Sequence, residues 1–134
     1  MTETSESKPL PFVLGKKPAP FWWTVRVPVP VDDDYQFAPL RLKFSWSSQA
    51  DLNKIRGVGL GDGESMPTDE QIVQRKVRDW ELMDEAGAPV PFTPENLALL
   101  TAAPMVLSSI VATYMAVMGG VAARKNAWTP PAAG

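Results

Sequence analysis

The chain has 134 residues, enough for one domain with a hydrophobic core of its own. Lys and Arg number 13 against 15 Asp and Glu, a net charge of −2, unlike a protein built to neutralise nucleic-acid phosphates. With no Cys and no His, disulfides, thiolate or imidazole metal sites, cysteine nucleophiles and the Ser-His-Asp arrangement are excluded.

Residues 1–20 read as a flexible N-terminal arm. The first eight are polar, and Pro9, Pro11, Pro18 and Pro20 favour extended backbone. No charged start followed by an apolar run marks a signal peptide. Residues 21–46 read as two strands. Trp23, Val25, Val27, Val29 and Val31 alternate with Trp22, Thr24, Arg26, Pro28 and Pro30, which predicts one apolar face. Pro28 and Pro30 have no N–H for a ladder, so this strand is expected at a sheet edge. Leu40, Leu42, Phe44 and Trp46 alternate with Arg41, Lys43 and Ser45 in the second strand, and Asp32, Asp33 and Asp34 lie in the connection. A long antiparallel hairpin is the simplest pairing.

The period then becomes helical. Ser47 or Ser48 is expected to cap a short helix reaching Ile55 and Arg56, with Leu52 and Ile55 inward. Gly57, Gly59, Gly61 and Gly63 form a flexible connection; no Gly-Lys-Ser/Thr follows, so it is no phosphate loop. Thr68 with Gln71 is a capping-box pattern, and Val73, Val77 and Trp80 then share one helical face. Asp84, Glu85 and Gly87 mark a turn, and residues 88–92 a short return strand of a small hairpin. Thr93-Pro94-Glu95 is a strong helix start, leading to Leu97, Leu99 and Leu100. Pro104 begins a last helix that Gly119 and Gly120 stop. Residues 127–134 read as a disordered C-terminal tail.

Three features stand out. Residues 96–123 carry no charge, so the apolar helix 105–123 reads either as a membrane anchor or as a core helix enclosed by neighbours. On it Ser108, Ala112, Ala116 and Gly120 recur every four residues, a line along which another helix can approach closely, within the chain or from a second copy. Of adjacent Trp22 and Trp23, one must face away from the core side; it is either a protein-binding anchor or is covered by the arm or a helix. The Asp32–Asp34 run lacks the alternating ligands of a calcium loop and reads as a solvated turn. The paired carboxylates Asp84 and Glu85 sit in a turn without a cooperating acid, so no enzyme activity, cofactor or metal is expected.

An ordered set of marks resembles the tail assembly chaperones of long-tailed bacteriophages. Trp80 ends a helix and is followed by Asp84-Glu85-Ala86-Gly87. Val90-Pro91-Phe92-Thr93-Pro94-Glu95 comes next, with Leu97, Leu99 and Leu100. A helix bearing Tyr114 follows, and Gly119-Gly120-Val121-Ala122-Ala123-Arg124-Lys125-Asn126 ends the set. The resemblance spans residues 21–126; the Pro-rich arm and the Pro-Val-Pro of the first strand are not among its marks. It implies a non-enzymatic protein that binds and solubilises the tape measure protein while tail-tube protein polymerises around it. It further implies action in the host cytoplasm, absence from the mature virion, and a longer frameshifted form diverging after Asn126.

The expectation is therefore an α+β chain: an N-terminal antiparallel β-hairpin followed by a mostly helical domain, over residues 21–126. The alternatives are a small membrane protein held by helix 105–123, or a tail-completion or head–tail joining subunit. Partners are expected to be proteins, including a possible homo-oligomer, with no nucleic acid.

Overall fold

The computed structural model describes residues 11–121. The first half of the 1–20 arm, the Arg124-Lys125-Asn126 end and the 127–134 tail lie outside the described residues. Residues 11–20 are exposed throughout, with a single turn at Leu14-Gly15.

Strands β1 (Phe21–Val31) and β2 (Asp34–Phe44) pair antiparallel in unbroken register, from Phe21 opposite Phe44 to Val31 opposite Asp34. Asp32 and Asp33 join them with φ of +41° and +39°. Two successive left-handed residues make the hairpin turn whose twist matches the strands, and Asp is among the few non-glycine residues that tolerate this region. Pairs beside such a turn exchange hydrogen bonds, and the alternation leaves the Pro28–Phe37 and Pro30–Tyr35 pairs without them. Both prolines thus sit where no ladder bond is lost, and β1 is the sheet edge its prolines predicted.

The third strand is the main departure from the sequence reading. Helix α2 (Asp69–Lys76) stops before Val77, and β3 (Val77–Glu81) pairs antiparallel with residues 41–44 of β2. Trp80 therefore lies in a strand and does not end a helix, which overturns that mark of the resemblance. A β-branched residue and a Trp beside the open edge of β2 satisfy the sheet's free groups, and this outweighs the helical spacing. Pro39 is the next β2 residue whose nitrogen faces β3. It has no N–H to offer, and the pairing ends at Arg41–Glu81. The second strand also differs at its ends: it begins at Asp34, and Trp46 lies beyond it.

The helices form where their caps are. Ser48 accepts from the Asp51 N–H at the start of α1 (Gln49–Ile55), and Thr68 and Gln71 make both bonds of the capping box on α2. Thr93 caps α3 (Pro94–Thr101). Helix α4 (Val106–Met118) begins instead at Met105, in a left-handed conformation with no side-chain cap. The small hairpin after β3 is a single bridge, Met83 to Pro89, closed by Asp84, which accepts from the Ala86 and Ala88 N–H groups.

The result is an α+β fold, a three-stranded antiparallel sheet in the order β1-β2-β3 with four helices among the described residues. One sheet face carries the core. Val25, Val27, Leu40, Leu42 and Phe44 pack against Val73 and Val77, and against Val106, Ile110 and Tyr114 of α4. Tyr114 pins helix to sheet: its ring lies 5.2 Å from Phe44, and its hydroxyl donates to the Ser45 carbonyl at 2.8 Å. That carbonyl only accepts, so the buried Ser47 hydroxyl donates to Tyr114 in turn. Burial pushes the Tyr114 hydroxyl above the ordinary phenol range; the Ser47 hydrogen bond opposes this, and the charge of Asp51 adds to it.

No single described helix is long and apolar enough to cross a membrane. α3 and α4 together reach that composition but are bent by 100° at their junction.

Candidate protein-binding surfaces

Val73 on α2, Val77 on β3, Phe92, and Leu97 and Ala98 on α3 line an open groove of about 600 Å³. Trp80 builds one wall of it indirectly: its Nε1 donates to the Val90 carbonyl at 2.8 Å and its ring meets Phe92 edge-on at 4.9 Å. Glu70, Gln74 and Arg78 form a polar rim. A second cleft, about 340 Å³, lies between α1, the glycine-rich connection and α2. Its charges are mixed, with Lys76 3.7 Å from Asp51 and with Glu64, Lys54 and Arg75 nearby. In that connection Gly57 has φ +79°, a left-handed backbone in which other residues are strained.

Trp22 is the residue of its pair that faces away from the core, in the Lys43 row, while Trp23 stands opposite Leu42 on the core face. Yet Trp22 is half-buried and Trp23 is 37% exposed. Arg41 and Lys43 lie over the Trp22 ring at 5.9 and 6.0 Å. Trp23 sits on the outermost strand, at the margin of the helical layer. Ser108 and Ala112 are exposed, and Ala116 and Gly120 half-buried. The small-residue line therefore looks outward over its first half, while Val106, Ile110 and Tyr114 supply the buried face of α4.

The hairpin's far end is the surface that sequence periodicity misplaced. Val29 and Val31, expected on the core face, are 41% and 40% exposed. The helices stop short of them. On the opposite face Tyr35 and Phe37 are 51% and 54% exposed, and Arg26 stacks over Phe37 at 4.8 Å. Period-two alternation of Tyr35, Phe37, Pro39, Arg41 and Lys43 is the signal that marks this face.

Among the described residues no group of three Asp or Glu stands close enough to hold a metal ion. No protein-family model matches the chain, and neither a curated protein nor a solved structure is significantly similar to it.

Proposed function

We propose that this protein is a non-enzymatic tail assembly chaperone of a long-tailed bacteriophage, acting in the host cytoplasm on the tape measure protein. The observation that carries the reading is the open groove between α2, β3 and α3, with apolar walls and a polar rim. A groove of this kind accepts an amphipathic helix by its apolar stripe, the form in which a tape measure protein exposes apolar surface before the tube encloses it. The eight residues of α2 run about 12 Å, room for roughly two turns of a bound helix. Contact limited to a short apolar strip suits a partner that must be released. The ordered marks from Val90 to Tyr114 support the family reading. The tail-tube protein and a longer form diverging after Asn126 are its further partners, and the finished virion lacks it.

Co-expression with a tape measure protein from the same genome tests this. The tape measure protein is expected to stay in solution and co-purify, and Ala98→Glu, an exposed change at the groove, is expected to abolish co-purification without unfolding the chain. Tape measure protein that stays insoluble, or that binds the variant equally well, sinks the proposal. Mass spectrometry of purified particles tests the claim of absence from the virion.

A further inference from the structure

The outer face of the hairpin is ordered along its length. At the tip stand the turn residues Asp32 and Asp33. Midway come Pro30 beside Tyr35 and Pro28 beside Phe37, with both aromatic rings about half exposed. Towards the stem lie Arg26, Arg41 and Lys43. Each of these cations rests on an aromatic face, Arg26 on Phe37 and the other two on Trp22. Arg41 also donates to Thr24 Oγ1 at 3.2 Å. β3 brings Glu81 opposite Arg41 and Asp79 opposite Lys43 in the register, yet no carboxylate lies within 4.0 Å of any of the three cations among the described residues. Their charges are held in place by rings and left without an acid.

Such a surface is complementary to itself when turned end for end. We propose that two copies of this chain associate through the outer faces of their hairpins, crossing near the Pro28–Phe37 row. The row arithmetic places the charges: the tip lies about 20 Å from the Arg26 row and about 27 Å from the Arg41 row at about 3.3 Å per residue. A two-fold axis through the Pro28–Phe37 and Val29–Gln36 rows therefore brings each acidic tip onto the cations of the other copy. Tyr35 and Phe37 of both copies meet at the centre, where paired rings add to apolar burial. The outer face is the side that permits this. The inner face runs into α2 and α4, so a second hairpin laid along it would strike the helices. Two sheets facing each other at about 10 Å spacing is an ordinary packing for twisted strands. Opposite charges at the ends and an apolar centre specify the antiparallel arrangement over the parallel one, which sets tip against tip. This inference stands apart from the chaperone reading, because the groove lies away from the hairpin tip.

Sedimentation between about 1 and 500 µM tests it, over the range suited to an interface near the lower size limit for stable pairs. The chain is expected to pass from monomer to dimer, and added salt to weaken the dimer. Asp32→Lys/Asp33→Lys alone and Arg26→Glu/Arg41→Glu alone each set like charges together. Each is expected to weaken the dimer about tenfold or more. An equimolar mixture restores pairing, because each reversed end then meets its opposite. Since the chain has no Cys, Pro28→Cys supplies a unique thiol at the crossing and keeps the fold testable should a charge variant unfold. A bismaleimide spanning about 10 Å is expected to cross-link it as a dimer, whereas Ser65→Cys is not cross-linked. A chain monomeric throughout the range, a dimer indifferent to both reversals, a mixture of folded variants that does not pair, or equal cross-linking at both positions overturns the proposal.

Discussion

The two halves of one hairpin obey the same alternation and meet different fates. In the stem Val25 and Leu42 are fully buried under α2 and α4. Four rows further out Val29 has the same side chain on the same face and stays exposed, because no helix reaches that far. The stem is thus a layer of a core, whereas the tip is a ribbon held mainly by its own ladder and its turn. A two-stranded ribbon is only marginally stable in water, so the tip depends on its attachment to the stem. Burial is a property of what packs opposite, not of the strand pattern.

Mutations that separate the halves give the largest contrast. Leu42→Ala leaves a cavity beneath the helices and is expected to lower stability by about 2–5 kcal/mol, read as a shift of the denaturation midpoint. Val29→Ala, on the same face of the tip, is expected to cost under about 0.5 kcal/mol, as an exposed change does. Equal losses at the two positions would show that the tip is packed.

Tyr114→Phe removes the bond to Ser45 and leaves the buried Ser47 hydroxyl without its acceptor, an expected loss of about 1–3 kcal/mol. The pH dependence carries its signature. The Tyr114 hydroxyl is held above its unfolded value, so the folded state keeps this proton more tightly than the unfolded state. Its contribution is fully present below the unfolded tyrosine pKa of about 10 and is lost as pH rises through the folded value. Thermal melts above that pH are expected to fall less steeply in Tyr114→Phe than in the parent. Parallel curves would remove Tyr114 as the stem's titrating pin.

The smallest effect belongs to the outward side of α4. Ala112→Leu is expected to change the midpoint by less than about 0.5 kcal/mol, since the side chain is exposed. Calorimetry reads it. A loss of about 1–3 kcal/mol, the cost of overpacking, would mean that the small-residue line is packed against a neighbour.

Local chemistry made much of the fold legible. Ser48, Thr68 and Thr93 start the helices their hydroxyls predicted, because a cap needs only the first turn of its own helix. The hairpin and its edge position followed from alternation and from two prolines two residues apart. The candidate surfaces were legible only in part. Trp22 and Trp23 were correctly set on opposite faces, but which was sheltered depended on Arg41 and Lys43 from the neighbouring strand. The groove joins residues of α2, β3 and α3 with Phe92, and no short window of sequence holds that set together.

Residues acting within a few positions of themselves were settled by the sequence alone: the capped helix starts, the acidic turn region, the edge strand, and the lack of thiol and imidazole chemistry. The tertiary structure decided the rest. Val77 and Trp80 have helical spacing and also strand-forming side chains, and the open edge of β2 made them a strand. Met105 takes a left-handed backbone without a cap, where α3 gives way to α4. Val29 and Val31 stayed in solvent because the helical layer ends before them. In each case local preference was divided, and the partner across the gap, present or absent, settled it.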